Sequence, residues 1–545
     1  MKKSIESLLL RLIKDALKDL SFEQVYQEEI YLDFPTDTRF GDFTTNIALK
    51  LSKLLKRPPY EVAKGLISAI NNNLQKSDLK DCLKEVRVEG AGFINFYLTD
   101  KYFYEQLKDL LVYGQEALKQ DLGGRKKVLI EFVSANPTGA LSIAHARQAA
   151  VGDVLANLMD FLNFKVKREY YLNDEGNQIN ILGSSVKLRM RELDGEMLDF
   201  PENYYQGEYI YDIAKAAKTA GVKKEELGDF AAGYILDIIK KELDDFGVRF
   251  DVWYSQKELD RSGKIEKYFE ELKKKSYLYE QEGALWFKSS SFGDDKDRVV
   301  VKSDKSYTYL APDIAYHQEK FRRGFEWLIN LWGPDHHGYI NRLKASVEAF
   351  GHKPESLSII IVQLATIFRE GKPVQMSTRR GQYITLREVL DEVGKDASRF
   401  FFLMRRTSSH LDFDLDVAKK QTSENPVYYV QYAHARICSI LRSAGIKVKK
   451  DAPLFILKEK EELTLVKKIL QFPSVLNICL ITLDPYMLTV YLQTLAESFH
   501  KFYDLHRVLG TDSSLSLARL ALIEATRTAL ATGLDILGVS KPEKM

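Results

Sequence analysis

A turn at residues 134–147 has side chains and backbone groups suited to holding a chain of phosphates. It lies between a buried-strand pattern at 127–133 and a helix pattern that begins at His145. A strand-to-helix turn presents free backbone N–H groups and the positive end of a helix dipole, and Gly139 lets the backbone approach a ligand closely. His145 can donate a hydrogen bond to a phosphate. No P-loop lysine is present, and a tight turn with a helix cap but no ligand is the alternative.

A second candidate segment, residues 371–381, is basic and bounded by glycines. Ser377, Thr378, Arg379 and Arg380 could hold a leaving pyrophosphate. Phosphoryl and adenylyl transfer depend chiefly on positioning and charge stabilisation, which such a loop supplies. The alternative is a basic surface loop without a ligand.

The elements that position these segments form a strand–turn–helix–strand pattern. The first strand is followed by the turn, by a long helix pattern at 145–162 and by a second strand pattern at 164–172. This βαβ order is typical of a parallel nucleotide-binding sheet. Strand patterns resume at 327–331 and 358–363, so we predict that they extend the same sheet.

The apolar spacing divides the chain into three predicted units. Residues 1–115 are expected to form a small α/β domain, and residues 120–395 a Rossmann-type α/β domain with a parallel sheet. A charged, mostly helical insertion is predicted at about 185–290. The spacing is helical almost throughout 396–545, which predicts an all-α C-terminal bundle.

Composition sets limits on the class of protein. The chain has 545 residues with 45% hydrophobic and 11% aromatic residues, enough for several buried cores. Its formal net charge is +2, so a polyanion would have to be bound by local basic patches. The three cysteines are far apart in sequence, which argues against a disulfide framework or zinc site and fits a reducing cytosol. The sequence has no signal-peptide pattern and no run of about 18 apolar residues, so we expect no membrane span.

Taken in order, with an insertion between them, the two candidate segments resemble the HIGH and KMSKS signatures of class I aminoacyl-tRNA synthetases. The first reads Ser-Ile-Ala-His at 142–145 and the second Gln-Met-Ser-Thr-Arg at 375–379. The first histidine and the glycine of one signature, and both lysines of the other, are therefore replaced. Further segments narrow the resemblance to the arginyl-tRNA synthetase family over essentially the whole chain: 40–46, 92–96, 131–136, 169–178, 309–315, 332–338, 428–436 and 517–522.

The resemblance implies an arginine–tRNA ligase. Such an enzyme activates L-arginine with ATP to arginyl-adenylate, releases pyrophosphate, and transfers arginine to the 3′ end of tRNA(Arg). It implies Mg²⁺ on the ATP phosphates, no protein-bound metal, transfer RNA bound before activation, first attack by the 2′-hydroxyl, and a cytoplasmic monomer without membrane association. Two alternatives are a catalytically idle relative that binds transfer RNA and a class I synthetase for another amino acid.

Residue by residue, the resemblance assigns catalytic and ATP-binding roles to the two signatures. The implied catalytic residues are Ser142, His145, Met376, Ser377 and Arg379. The implied ATP-binding residues are Ala135, Asn136, Pro137, Thr138, Gly139, Leu141, His145, Gln375, Met376 and Ser377.

A site selective for arginine should offer a carboxylate, because a guanidinium is planar, always charged and carries five donors. Asp313 lies four residues after Tyr309, and Pro312 suits the first position of a helix, so the two side chains could face one ligand. The alternative for Asp313 is a charge that complements a helix dipole. The resemblance adds three further arginine contacts: Glu131, Asn136 and His336. The alternative for Glu131 is a structural ion pair, and the alternative for His336 is a core histidine.

Aromatic and basic residues alternate in the C-terminal helices, as expected of a surface that binds unstacked bases. The candidates are Tyr428, Tyr432 and Arg436, and the alternative is that the tyrosines belong to the core of the bundle. In the N-terminal unit the resemblance assigns Asn46 to transfer RNA binding.

Overall fold

The computed structural model describes residues 5–22, 30–35, 38–374, 384–445, 448, 450–510 and 512–545. The first unit is a small α/β domain, as predicted. Its elements are α1 (Ile5–Asp19), β1 (Phe43–Thr45), α2 (Ile47–Leu55), α3 (Pro59–Leu74), β2 (Leu83–Glu89), β3 (Phe93–Leu98) and α4 (Asp100–Tyr113). Strand β3 is central and pairs antiparallel with β1 and β2. One apolar stripe of α1 is buried, as its helical spacing requires.

The central unit follows. Its elements are β4 (Lys127–Glu131), α5 (Ile143–Phe161), β5 (Lys165–Leu172), α6 (Asn177–Leu193), α7 (Tyr209–Ala220), α8 (Leu227–Asp245), β6 (Val252–Ser255), α9 (Gln256–Arg261), α10 (Lys264–Lys274), β7 (Leu278–Gln281), β8 (Ala284–Phe287), β9 (Arg298–Val301), α11 (Leu310–Arg322), β10 (Trp327–Trp332), α12 (Ile340–Ala349) and β11 (Leu357–Ile361).

The predicted Rossmann-type sheet is confirmed. Five parallel strands lie in the order β11-β10-β4-β5-β6. Strand β4 is central, and Val128, Leu129 and Ile130 are fully buried because helices cover both faces. The chain turns to one side of β4 through β5 and β6 and to the other through β10 and β11. Ligands of such sheets bind where the strand order reverses, at the carboxyl ends of the strands, which here is the end of β4.

The predicted insertion at 185–290 is not a single segment outside the parallel sheet. Strand β6 lies inside that range and forms the edge of the parallel sheet. This strand has only four residues, all half-buried, so its sequence shows no clear alternation of buried and exposed side chains. Helices α6, α7 and α8 are therefore the crossover from β5 to β6, and the antiparallel sheet β7-β8-β9 follows β6.

The C-terminal part contains a short three-stranded sheet in addition to its helices. Its elements are β12 (Ala365–Arg369), β13 (Lys372–Pro373), α13 (Leu386–Phe402), β14 (Leu411–Asp414), α14 (Leu415–Lys419), α15 (Pro426–Ala444), α16 (Lys460–Leu470), α17 (Phe472–Thr482), α18 (Tyr486–Leu505) and α19 (Ser513–Leu537). Strand β14 pairs in parallel with β12, so the prediction of helix alone from residue 396 is wrong at 411–414. The described residues after 414 form helices joined by loops, with α19 largely buried among them.

Among the described residues, one helical segment, 460–482, is long and apolar enough to cross a membrane by length and composition. It comprises α16 and α17, and residues such as Leu465, Ile469 and Leu476 are buried in the bundle core. A core helix of a bundle passes the same test, so the segment is weak evidence for a membrane span.

Polar contacts join the three units. Lys467 on α16 pairs with Asp42 of the N-terminal unit at 2.7 Å, and the Tyr104 hydroxyl donates to the Leu457 carbonyl at 2.6 Å. Buried Arg399 on α13 pairs with Asp153 on α5 at 2.6 Å. The helical bundle is thus held against both the N-terminal unit and the parallel sheet.

Candidate active site

The residues 134–142, named here the phosphate turn, leave the carboxyl end of β4 through strained backbone. Val133 and Ser134 both have positive φ, 67° and 41°. A β-branched residue rarely adopts this conformation, which costs about 1–3 kcal/mol and tends to occur at functional sites. The Ser134 hydroxyl donates to Glu131 Oε1 at 3.1 Å and accepts from the Tyr171 N–H at 3.1 Å, so β4 and β5 jointly fix the start of the turn.

His145 lies in the first turn of α5, where the phosphate turn ends. The backbone N–H of the N-cap residue Ser142 donates to His145 Nδ1 at 3.2 Å. Burial lowers the pKa of His145 to about 4, so the ring is neutral near pH 7. Because Nδ1 accepts, the proton of the neutral ring is on Nε2. The tautomer of His145 cannot be read from the sequence. In the structure, Nε2–H is the donor of the ring, and it lies at the positive end of α5.

The second signature lies outside the described residues. Gln375, Met376, Ser377 and Arg379 all fall there, and their assigned roles stay predictions. The chain that follows it is described and returns to the phosphate turn. The Leu386 N–H donates to the Leu141 carbonyl at 2.8 Å, and Ser142 forms a β-bridge with Thr385. The chain next to the second signature is therefore anchored beside the first.

Asp313 is a half-buried carboxylate on the first turn of α11. The hydroxyl of Tyr339 donates to its Oδ2 at 2.7 Å. Burial raises the pKa of Asp313 to about 6, and nearby Glu131 adds to the rise. No cation pairs with Asp313 within the described part of the chain. Helix α11 begins at Leu310, so Pro312 is its third residue and the predicted first position is wrong.

Tyr309 does not join Asp313 in the structure. It occupies the N-cap position of α11 and its side chain is 81% exposed, with no hydrogen bond or ring contact to any described residue. The phenols close to Asp313 are those of Tyr339 and Tyr171; burial raises the pKa of the Tyr171 hydroxyl, and Asp313 raises it further. Local sequence patterns give no sign of Tyr339, because packing after β10 brings it to Asp313 from 26 residues downstream.

Glu131 is part of a buried polar network that supports Asp313. Its Oε2 accepts from Lys320 Nζ at 2.5 Å, which is the ion pair foreseen as the alternative. Lys320 also donates to Asn330 Oδ1 at 3.3 Å, and the Asn330 amide contacts His317 Nε2 at 2.7 Å. His317 Nδ1 lies 2.8 Å from the Asp313 carbonyl, and burial lowers the pKa of its ring well below the usual value. The ring is therefore neutral, with Nδ1–H donating to Asp313.

Further contacts fix α11 along its length. The Tyr316 hydroxyl donates to buried Glu169 at 2.7 Å, and Arg323 binds the same carboxylate through two nitrogens at 2.6 and 2.7 Å. Gln318 contacts His352 at 3.0 Å. The helix that carries Asp313 is therefore tied to β5 and to the chain before β11.

The remaining predicted substrate residues lie at the same edge of the sheet. Asn136 donates from Nδ2 to Gln178 Oε1 at 2.7 Å, at the start of α6. His336 follows β10, but its side chain is 56% exposed, 3.5 Å from Asp335, with its ring near Trp332. The alternative interpretation of His336 as a core histidine is therefore wrong. Within the described ranges, no group of three or more His, Cys, Asp or Glu side chains could hold a metal ion.

A row of stacked rings lies on the C-terminal helices. Tyr428 and Tyr432 have centroids 6.2 Å apart at 9°, and Tyr432 stacks on His500 at 5.8 Å. Tyr432 is exposed, so the row is not wholly core. Arg436 donates to the Tyr503 hydroxyl at 2.9 Å and lies 4.7 Å from that ring. In the N-terminal unit, Asn46 is exposed and makes no capping hydrogen bond at the start of α2.

Three family descriptions match successive parts of the chain. "Arginyl tRNA synthetase N terminal domain" matches residues 7–98, "tRNA synthetases class I (R), catalytic domain" matches 106–435, and "DALR anticodon binding domain" matches 430–545.

Full-length similarity to named relatives agrees with these matches. Two proteins named arginine–tRNA ligase, from Citrifermentans bemidjiense and Caldanaerobacter subterraneus, are 44% and 42% identical to this chain. The first alignment covers 100% of both chains, and the second 100% of this chain and 99% of its relative. The Thermus thermophilus arginyl-tRNA synthetase structure has a TM-score of 0.79 at 22% identity, covers 99% of this chain and 100% of its own, and supports the fold.

Proposed function

The chain belongs to the arginyl-tRNA synthetase family, and from that premise we propose where on the molecule arginine, ATP and transfer RNA bind. As an arginine–tRNA ligase, it activates L-arginine with ATP and transfers arginine to the 3′ end of tRNA(Arg). We propose that both steps take place at the carboxyl ends of β4, β5 and β10. The carboxylate of Asp313 carries this proposal, because it has a fixed acceptor geometry and no cationic partner among the described residues.

The guanidinium of arginine binds Asp313. A cation that pairs with a carboxylate of raised pKa favours its ionised form, so the ligand offsets the desolvation that burial imposes. Tyr339 holds one oxygen of this carboxylate and leaves the remaining acceptor sites to the planar donors of the ligand. Lysine, a point charge, fills such a site poorly. We propose that Tyr309, exposed at the start of α11, also contributes to arginine binding, as the family resemblance implies.

The triphosphate of ATP binds the phosphate turn and the first turn of α5. His145 donates from Nε2, and the helix dipole adds to the attraction for the anion. We propose that Mg²⁺ enters with ATP, held chiefly by phosphate oxygens and water. It would supply positive charge to the phosphates.

Positioning and charge stabilisation suffice for the chemistry. A carboxylate oxygen of arginine attacks the α-phosphorus of ATP, forming the mixed anhydride as the bond to pyrophosphate breaks. The 2′-hydroxyl of the terminal adenosine then attacks the anhydride carbonyl, forming the ester and releasing AMP. We propose that transfer RNA binds before the first step, as the family resemblance implies.

Transfer RNA is contacted by both ends of the chain. The row Tyr428, Tyr432 and His500 supports base stacking, with Arg436 alongside for phosphate or base contacts. Asn46 supports a second contact from the N-terminal unit. We propose that the enzyme is cytoplasmic, in agreement with its three free cysteines. We also propose that it is a monomer, as the family resemblance implies.

Charging of total transfer RNA with each of the twenty amino acids tests the function. We expect esterification with arginine alone. Transfer RNA binding without charging would indicate an idle relative, and charging with another amino acid would contradict the arginine pocket. Asp313→Asn is the matched control, because it keeps the size of the side chain and removes the charge.

A further inference from the structure

The backbone of the phosphate turn belongs to neither a helix nor a strand. Its buried N–H and C=O groups therefore need partners from elsewhere in the fold. Within the sheet, the hydroxyl of buried Tyr170 on β5 donates to the Ala135 carbonyl at 2.9 Å. Most of the remaining support comes from outside the sheet.

Part of that support comes from the start of α13, as described above, and part from the three crossover helices between β5 and β6. Gln178 at the start of α6 accepts from the side-chain amide of Asn136 at 2.7 Å, so this contact holds a side chain of the turn. Glu242 on α8 is buried; burial raises the pKa of its carboxyl, and Arg387 and the nearby backbone N–H of Leu141 oppose that rise. Between these two, Tyr209, the first residue of α7, donates from its hydroxyl to the carbonyl of residue 138 at 2.7 Å. Each helix thus holds the phosphate turn at one point.

The contact made by Tyr209 controls one peptide plane. The carbonyl of Thr138 and the N–H of Gly139 belong to the same planar group and point in opposite directions in a trans peptide. Gly139 has no side chain to restrict its backbone, so this plane would otherwise rotate easily. By fixing the Thr138 carbonyl, Tyr209 sets the direction of the Gly139 N–H, which points away from Tyr209.

We propose that the crossover helices position the phosphate turn for ATP and that Tyr209 is the positioning residue at its centre. The proposal rests on the assignment of the phosphate turn to ATP made above. It gives residues 173–251 a role in nucleotide use that their charged, helical sequence does not suggest. Tyr209 touches no reacting atom; it acts through the peptide of Gly139.

Tyr209→Phe tests this by removing one hydroxyl and nothing else. Tyr211→Phe is the matched control, because Tyr211 lies on the same helix and its hydroxyl contacts Glu192 at 2.9 Å and Arg189 at 2.8 Å instead of the turn. In arginine-dependent pyrophosphate exchange with tRNA(Arg) present, we expect Tyr209→Phe to lower kcat/KM for ATP by roughly 2- to 12-fold, the range for one net hydrogen bond. The KM for arginine and the melting temperature should match those of Tyr211→Phe.

Two results would overturn the proposal. One is a kcat/KM for ATP equal in the two variants. The other is a parallel loss for ATP, arginine and melting temperature in Tyr209→Phe, which would indicate a purely structural role. His145→Ala separates this failure from that of the site itself. If His145→Ala leaves ATP use unchanged, the phosphate turn is not the ATP site; if it impairs ATP use and Tyr209→Phe does not, only the role of Tyr209 is refuted.

Discussion

Arginine and a proton compete for the carboxylate of Asp313. Burial raises its pKa to about 6, so the group is mostly ionised above that pH and mostly protonated below it. The guanidinium stays charged throughout and pairs with the ionised form only. From that pKa, the ionised fraction is nearly complete at pH 7.5 and about one-tenth at pH 5. The Kd for arginine should therefore rise about tenfold between these two values, as competition by one proton requires.

The measurement is isothermal titration calorimetry of arginine at several pH values and constant ionic strength, without ATP or RNA. His145 does not interfere, because its pKa is lowered to about 4. Asp260 is the matched control: burial and nearby Glu175 raise its pKa to about 6 as well, yet it makes no contact with Asp313 in the described structure. Asp260→Asn should keep the pH dependence, and Asp313→Asn should bind weakly with a flat profile. A flat wild-type profile, or an unchanged slope in Asp313→Asn, would refute the reasoning.

Further predictions follow from the same site. Asp313→Asn should lower kcat/KM for arginine at pH 7.5 by roughly 10- to 150-fold, the loss of one charge-assisted hydrogen bond, while RNA affinity in filter binding stays unchanged. His145→Ala should slow adenylate formation by roughly 10²–10³-fold in pyrophosphate exchange; a raised KM for ATP alone would indicate uniform binding instead. Lys320→Met should destabilise the fold by about 3–5 kcal/mol in denaturant unfolding, because it leaves Glu131 buried and unpaired, and adding Glu131→Gln should recover part of the loss; no loss in the single variant would contradict the buried ion pair. Tyr432→Ala should raise the KM for transfer RNA by roughly 5- to 150-fold, the worth of one stacked base, and leave the KM for arginine unchanged.

Sequence patterns predicted the centre of the fold because its signals are local. The apolar run before residue 134, the glycine-containing turn and the long helix pattern lie next to each other, and they form β4, the phosphate turn and α5. Asp313 could be proposed for the same reason, from its place in a helix start. Strand β6 and strand β14 have four residues each, too few to distinguish a strand from a loop by alternation.

The partners of the site residues could not be predicted, because they depend on tertiary packing. Tyr339 reaches Asp313 only once the segment after β10 folds back over α11. Lys320 pairs with Glu131 across 189 positions of sequence, and nothing in either local pattern indicates that pairing. Tyr309 was expected to face Asp313 from helical spacing and from the family resemblance, but it precedes the helix and is exposed.

The anchoring of α11 has a consequence for discrimination among amino acids. Because Tyr316, His317, Gln318 and Lys320 are each bound to a neighbouring element, the helix cannot shift to meet a shorter ligand. Because the carboxylate of Asp313 is fixed in position, only a side chain of the right length can reach it. Ornithine would stop short of Asp313, and its ammonium would remain partly desolvated without a partner. Citrulline has the right length and lacks the charge, so the same pocket rejects these two analogues for different physical reasons.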